Sequence, residues 1–452
     1  MTHNDPFLTK PASGLYTISP DQPFVECLAR GILNRCAAQA GGNTPAHIAR
    51  HLPHWRIFLP TRRACRHLQD AFLIASNGHP LLLPRLYALG DMEEADILLS
   101  GLFPHAYDLP PALSRLERKI LLARTIGSIP DYTCAPEQGL ALADTLARFM
   151  DHIYTEGLDL KNLPALVPDH LAEHWKITTR FLEILVTLWP EIIEKTGKIE
   201  PALRRDLLLR GLAEQWQKDP PDFPVLAAGS TGSIPATSVF LQMITTLPKG
   251  VVILPALDQS MDEESWHVLD ETHPQAMLKK LLTHLKCTRA DIHPFDWHIT
   301  NNEVQEKPRL RLIRETMRPA PTTPQWRILS HTPIPQEAVQ GLLYQTCETP
   351  EHEALSIALL IRDTLEEKDL NDLRTRTIAI ITPDRSLAQR IALHCQRWGI
   401  MVDDSAGDCL SRTRIGQIMR LCLEATQSNL APCALLSLLR HPDVYCGLSP
   451  KA

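Results

Sequence analysis

This chain of 452 residues lacks a complete phosphate-binding loop. Such a loop reads Gly, any four residues, then Gly-Lys-Ser/Thr, because the lysine neutralises phosphate and the hydroxyl holds the metal ion. The one Gly-Lys pair, Gly197-Lys198, is followed by Ile199. The sequence therefore argues against a chain that binds and hydrolyses ATP by itself.

The chain also lacks paired cysteines and a targeting segment. Its eleven cysteines are scattered without a Cys-x-x-Cys pair, and the start, Met1 to Pro6, has neither the basic nor the apolar region of a signal peptide. We therefore expect reduced thiols and a cytoplasmic protein. His284 and Cys287 lie close together, but structural zinc sites need paired ligands at closed spacing, so no metal ion is expected.

An excess of positive charge is missing as well. The formal net charge is −6 and 44% of the residues are apolar, which excludes a polycation and is ordinary for globular domains. Nucleic-acid binding would have to be local, through one of three basic clusters. These clusters are Arg62 to Arg66, Arg204-Arg205, and Lys307 to Arg318. The uncharged stretch Val225 to Leu247 holds eleven Gly, Ser, Thr, Pro or Gln residues among its 23, so no membrane span is expected.

What the sequence does contain is a repeated pattern of strand, loop and helix. An apolar run, Val225 to Ala228, precedes the loop Gly229 to Ser233 and an amphipathic segment that opens with Pro235. A second apolar run, Val251 to Leu257, follows at the distance of a parallel crossover. Trp55 to Pro60 begins a similar unit. The pattern predicts an α/β fold with a parallel sheet.

The pattern also predicts how the chain is divided. Residues 1–298 are expected to form the first α/β domain, with an all-helical insertion at about 114–216. Residues 299–335 are rich in Pro, Thr, Asn and charge, which predicts a linker or a solvated excursion. Residues 336–452 are expected to begin a second α/β domain, with strands at Thr377 to Ile381 and Gly399 to Val402, that these residues do not complete.

The loop after Ala228 admits three chemical interpretations. Parallel sheets bind ligands beyond the carboxyl ends of their strands, which is where Ser230, Thr231 and Asp258 are expected. Ala228 to Gly232 nearly matches the Gly-x-Ser-x-Gly elbow of a serine hydrolase, and Asp258 and His273 follow in the right order, but the first glycine is missing. A tight turn, a hydrolase with Ser230 as nucleophile, and a loop that contacts nucleic acid or a partner all stay open.

Several stretches together resemble the AddB subunit of the AddAB helicase-nuclease in its alphaproteobacterial form. The resemblance runs through nearly the whole chain in order, and the combination is specific although each motif alone is weak. The stretches are Leu59 to Arg66, Ala227 to Thr237, Leu254 to Asp258, His273 to Gln275, and Thr382 to Arg385 with Asp403 to Gly407.

The resemblance implies a helicase of superfamily 1 in outline, with a RecA-like sheet domain, a helical insertion and part of a second RecA-like domain. It implies a role in double-strand-break repair, as a non-catalytic scaffold that binds or guides DNA while the complex resects broken ends. The implied partners are an AddA-like subunit, which carries the motor, and DNA ends. The iron-sulfur cluster and magnesium belong to a C-terminal nuclease domain that these residues do not include, so no cofactor is expected here.

Helicase geometry also implies the site residues. Thr61, a predicted helix N-cap, and Arg62 and Arg63 fall where the helicase motif after the second strand meets the DNA backbone. The loop of Ser230 and Thr231 matches the position from which helicases contact single strands.

Two further positions follow from the same comparison. Where a working helicase carries its phosphate loop, this chain has Asp21, so an active ATP-dependent helicase or exonuclease subunit is the weaker alternative. Trp266 and Trp398 could stack on bases, although core or interface positions are the favoured interpretation.

Overall fold

The computed structural model describes residues 14–39, 51–90, 108–128, 135–159, 186–295, 307–366, 377–407, 409–445 and 447. The chain divides into two compact units, Met1–Gln340 and Gly341–Ala452. Within the described residues, no helix is both long and apolar enough to cross a membrane.

A six-stranded sheet in which every pair is parallel forms the centre of the first unit, in the order β3-β2-β4-β5-β1-β6. The α/β prediction is confirmed, and the architecture is consistent with a RecA-like α/β fold. The strands are β1 (Leu15–Ile18), β2 (Arg56–Leu59), β3 (Arg85–Ala88), β4 (Val225–Ala228), β5 (Gly250–Pro255) and β6 (His293–Pro294).

Helices cover both faces of this sheet. The helices of the first unit are α1 (Phe24–Gln39), α2 (Arg62–Ala75), α3 (Arg115–Gly127), α4 (Pro136–Thr155), α5 (Pro201–Lys218), α6 (Pro235–Thr246), α7 (Glu263–His267), α8 (Ala276–Leu285) and α9 (Pro308–Thr316). Short 3-10 segments lie at Leu52–His54, Arg289–Asp291, Ala320–Ser330 and Gln336–Val339.

Alternation along the strands separates two apolar cores. On β4, Leu226 and Ala228 pack with α1 and α2, whereas Val225 and Ala227 pack with α5, α6 and α8. Successive strand residues point to opposite faces, so the four inner strands β2, β4, β5 and β1 supply both cores. The first unit is thus a sheet between two helical layers, which fixes the carboxyl ends of all its strands along one edge.

A third apolar cluster lies between β3 and β4 in sequence and joins α3, α4 and the helical segment 186–196. Helix α5 belongs to the sheet layer instead, although it falls within the expected insertion of 114–216. The buried Arg118 guanidinium pairs with Glu200 at 2.9 Å, and the Trp189 indole N–H donates to the same carboxylate at 2.6 Å. Burial raises the pKa of Glu200, and Arg118 and Trp189 oppose that rise only in part.

The described part of the expected linker, 307–335, is folded onto the first unit. Arg318 is 8% exposed and reaches Glu315 and Asp262, both at 2.8 Å, while Thr322 shares a buried hydrogen bond with Ser265. The boundary between the two units falls after Gln340, beyond the Pro-rich stretch. Buried ion pairs therefore hold a segment whose composition favours a solvated chain; residues 299–306 lie outside the described residues.

The second unit is helical in its described part. Its helices are α10 (Pro350–Glu366), α11 (Arg385–Arg397), α12 (Arg414–Gln427) and α13 (Pro432–Leu439). The expected strands at Thr377 to Ile381 and Gly399 to Val402 do not form there, and the start of a second sheet was a wrong prediction for these residues. A strand requires a hydrogen-bonded neighbour, which neither segment has within the part of the chain that the structure describes; Ile381 is 95% exposed and Met401 is 88% exposed.

Candidate functional site

Loops from four strands meet at the carboxyl edge of the sheet. The chain leaves β2 towards α2 on one face and leaves the neighbouring β4 towards α6 on the other face. Adjacent strands whose connections leave on opposite faces open a crevice between their loops, and ligands bind there in open parallel sheets. Thr61 and Arg62 follow the carboxyl end of β2, and Ser230 and Thr231 follow that of β4, so this rule places all four residues at the expected crevice.

Gly229 brings three of these loops into contact. Its φ is +76°, and its N–H donates to the Ile253 carbonyl at 3.0 Å. A Cβ at this position would lie 3.3 Å from the Phe24 ring and 3.6 Å from Pro60 Cδ. Glycine is needed both for this conformation and for this approach, so the Gly-Ser-Thr-Gly sequence fixes the loop against the ends of β1 and β2.

The start of α2 concentrates positive charge at this edge. The Thr61 hydroxyl accepts the Ala64 N–H at 3.1 Å, so Thr61 caps the helix as its sequence predicts. Arg62 and Arg66 have exposed side chains and Arg63 is half-buried, and no acidic residue lies in the first turn. A helix N-terminus already carries a partial positive charge, so this end of α2 is strongly suited to an anion.

Across the crevice, the loop of Ser230 and Thr231 is held rigidly and both residues are half-buried. The Ser230 hydroxyl accepts the Gly232 N–H at 3.2 Å, and the Ser238 hydroxyl donates to the Gly232 carbonyl at 2.6 Å. Gly232 itself has a φ of +61°, and a Cβ there would meet Leu281 at 2.6 Å. The serine and threonine hydroxyls are therefore presented by a preorganised turn.

The hydrogen bonds of the three candidate triad residues do not form a hydrolase triad. His273 Nδ1 accepts the Gln275 N–H at 3.0 Å, whereas a triad histidine donates from Nδ1 to a carboxylate. Asp258 Oδ1 instead accepts N–H and hydroxyl donors of its own turn from Ser260, at 2.9 and 3.0 Å. Because Nδ1 of His273 accepts this hydrogen bond, it does not donate to Asp258. Asp258 therefore does not hold the His273 ring in the orientation that would activate Ser230.

The loop after β1 is already occupied by an ion pair. Lys307 Nζ lies 2.5 Å from Asp21 Oδ2. Burial alone would raise the pKa of Asp21, but hydrogen bonds from Lys307 and Ser19 bring it below its ordinary value. The loop between β1 and α1 therefore carries an ionised carboxylate that is paired with a lysine. The sequence identifies Lys307 only as a member of a basic cluster. The residues around Lys307 do not indicate that Asp21 is its partner, because the two lie far apart in the chain.

The loop after β5 is a structural turn. The Gln275 amide donates to the Ala256 carbonyl and accepts the Asp258 N–H, both at 3.0 Å. Arg289 lies over the Trp266 ring at 4.6 Å and donates to the Asp258 carbonyl at 3.1 Å. Trp266 is buried in the core, so it takes no part in a stacking surface.

Two of the three basic clusters are committed to internal contacts. Arg204 is buried and donates to the Pro110 carbonyl at 2.6 Å, and Arg205 reaches the Gly90 carbonyl at 3.2 Å. In the Lys307 to Arg318 cluster, Lys307 and Arg318 form the pairs described above. In the third cluster, at the start of α2, the side chains of Arg62 and Arg66 are exposed.

No known protein family matches this chain, and no curated protein does. Among the described residues, no group of three or more His, Cys, Asp or Glu side chains could hold a metal ion. The shape and charge of the carboxyl edge are therefore the observations from which a function can be inferred.

Proposed function

We propose that this chain is a non-catalytic, helicase-like scaffold that binds the DNA backbone at the crevice between the β2 and β4 loops. It would act with an AddA-like motor subunit in a complex that resects DNA ends for double-strand-break repair. The observation that carries this proposal is the start of α2, where Arg62, Arg63 and Arg66 surround a helix N-terminus at the edge used for ligands in parallel sheets.

The placement of these arginines has an electrostatic cost in the absence of a ligand. A cation in the first turn of a helix is disfavoured by about 0.3–1 kcal/mol, because it adds to the positive end of the dipole. Arg62 and Arg63 both lie in that turn without an acidic neighbour in it. A bound phosphate interacts favourably both with the positive end of the dipole and with the guanidinium groups, which supports an anionic ligand at this end of α2.

The contacts available to DNA are contacts to phosphate. Guanidinium groups, a helix N-terminus and the hydroxyls of Thr61, Ser230 and Thr231 bind phosphate oxygens and carry no information about base sequence. The Asp21–Lys307 pair argues against nucleotide binding in the same chain, which supports placing the motor in the partner. The geometry of His273 argues against the hydrolase alternative.

The test is the double substitution Arg62→Gln with Arg63→Gln. We expect affinity for DNA to fall similarly for all sequences, and the log–log slope of affinity against salt to decrease by roughly one unit per lost contact. Fluorescence anisotropy with labelled duplex and single-stranded DNA over a range of salt concentrations measures both effects.

The matched control is Arg115→Gln with Arg124→Gln, which removes two exposed arginines from α3. This pair should leave affinity and slope close to those of the unaltered chain. Equal losses in the two double variants would mean that only overall charge matters, and the proposed site would be abandoned.

A further inference from the structure

The second unit contains a polar cleft between α10 and α11. Its volume is about 400 Å³, and Glu351, in the first turn of α10, lines it from one side. The other lining residues all lie on α11: Ser386, Gln389, Arg390, Leu393, His394 and Arg397. They recur at intervals of three and four residues, so one face of α11 forms the floor of the cleft.

The cleft lies at the rim of the apolar core of this unit. The buried residues Ala354 and Ala358 on α10 pack with Ile391 and Cys395 on α11. Glu351 precedes Ala354 by three residues, about one helical turn, and His394 is next to Cys395. The packed helices therefore fix the positions of the charged groups, and the cleft does not depend on a loop for its shape.

Positive groups outnumber negative ones in the cleft. Glu351 accepts hydrogen bonds from Arg390 at 2.9 Å and from the His394 ring at 2.8 Å. The Arg397 side chain is exposed and makes no hydrogen bond or ion pair with another described residue. One carboxylate thus faces two guanidinium groups, and the excess charge is available to an anion.

The spacing of the two arginines favours a strand of nucleic acid over a single small anion. Arg390 and Arg397 lie seven residues apart on α11, and at about 1.5 Å per residue their Cα atoms are separated by roughly 10 Å. Phosphates of one strand are spaced about 3.4 Å along the axis of duplex DNA, so the separation of the two arginines spans about three such steps. Two guanidinium groups on one helix face can then engage the same strand.

We infer that this cleft binds the phosphodiester backbone of a nucleic-acid strand, with Arg390 and Arg397 as the phosphate contacts. Arg390 and Glu351 are 45% and 55% exposed, and exposed ion pairs are weak, so a phosphate can displace Glu351 from Arg390. Ser386 and Gln389 supply neutral donors at the amino-terminal end of the cleft. The assignment of the ligand as nucleic acid rests on the proposed function. The residues of this cleft lie in the second unit, whereas the proposed site on α2 lies in the first.

The test uses the full chain with the double substitution Arg390→Gln and Arg397→Gln. A photoreactive single-stranded oligonucleotide is crosslinked to the protein, and the crosslinked peptides are identified by mass spectrometry. We expect the variant to lose crosslinks to α11 and the salt slope of binding to decrease by roughly 0.7 per lost contact. Arg412→Gln with Arg420→Gln removes two exposed arginines elsewhere in this unit and should keep both readouts.

The same experiment separates this inference from the proposed function. If the α11 variant behaves as its control does while Arg62→Gln with Arg63→Gln loses binding, the inference is overturned and the proposed function stands. If only the α11 variant loses binding, the proposed site on α2 fails and the cleft stands. A second outcome would also overturn the assignment to a nucleic-acid strand. Inorganic phosphate would raise the melting temperature only when Arg390 and Arg397 are present, and no crosslinks would form at α11. The cleft would then be a site for free anions.

Discussion

Glu200 joins the elements around it through one buried carboxylate. Its oxygens meet Arg118 of α3 and the Trp189 indole of segment 186–196, while Arg118 also reaches Asp151 of α4 at 2.7 Å. A buried ion pair contributes little net stability, but the removal of one partner leaves an uncompensated charge. Replacing Glu200 alone is therefore expected to lower the unfolding free energy much more than replacing the whole buried ion pair by apolar residues would.

We expect Glu200→Ala to destabilise the first unit by about 3 kcal/mol, the low end for breaking a buried ion pair, because Arg118 keeps Asp151 while the Trp189 N–H loses its acceptor. Glu200→Gln should cost less, since an amide oxygen still accepts the Trp189 N–H. Urea unfolding followed by circular dichroism measures both. Glu194→Ala, at an exposed position of segment 186–196, is the control, and a similar loss from that variant would contradict the role given to Glu200.

Residue contacts differ in how well a sequence predicts them. The Thr61 cap depends on a neighbour three residues away, so local sequence is sufficient. Arg204 and the Lys307–Asp21 pair depend on distant parts of the chain. A buried arginine and a solvated arginine occupy the same kind of helical position, and nothing in the local pattern distinguishes them.

Strands show the same dependence on neighbours. β2, β4 and β5 lie inside the sheet and are mostly apolar, which is why the sequence predicts them. The edge strands β3 and β6 were missed; β3 begins with an exposed arginine, and β6 has only two residues. The apolar segments at 377–381 and 399–402 have the composition of strands but form none in the described residues. Whether a segment finds a pairing partner depends on distant parts of the chain, so the local sequence does not show it.

The attachment of α9 and the following 3-10 segment depends on Arg318. Its guanidinium donates to Glu315, Asp262, Ser265 and Gln325 and is almost fully buried. We expect Arg318→Ala to release this segment, with a loss of about 3–5 kcal/mol because the buried Glu315 carboxylate loses its partner. Hydrogen exchange should then accelerate in residues 315–330 and in α7, whereas Arg327→Ala, at an exposed site, should leave exchange unchanged.

This attachment should also depend on pH. The hydrogen bond from Arg318 holds the pKa of Glu315 below its ordinary value of 4.5. A lowered pKa means that the stabilisation is present above pH 4.5 and is lost as the pH falls through the lowered pKa. The difference in unfolding free energy between the unaltered chain and Arg318→Ala should therefore shrink on acidification below about pH 4.5. A difference that stays constant down to pH 3 would exclude Glu315 as the responsible group.

At the scale of the whole molecule, the two units differ in how much apolar surface they bury. Two extensive clusters line the sheet of the first unit, whereas the core of the second contains Ala354, Ala358, Ile361, Ile391 and Cys395. Many large apolar side chains of the second unit are exposed, among them Ile415, Met419 and Leu423 along one side of α12. A small core stabilises a unit less, so the second unit should open first.

Limited chymotrypsin digestion tests this difference. Leu342, Leu343 and Tyr344 follow the unit boundary and are all exposed, so they offer cleavage sites between the units. We expect early cleavage there and faster degradation of the product that contains residues 345–452 than of the product that ends near Gln340. Equal persistence of the two products would show that the units have similar stability.

The strand order has a consequence for synthesis on the ribosome. β1 is made before the other five strands of the sheet, yet its neighbours are β5 and β6, and the Thr17 hydroxyl donates to the Leu254 carbonyl 237 residues later. At roughly 5–20 residues per second, the nascent β1 waits on the order of 10–50 s before either neighbour leaves the exit tunnel. During that interval its apolar residues and unpaired backbone groups are available to chaperones, and the sheet of the first unit can close only after β6 has been made.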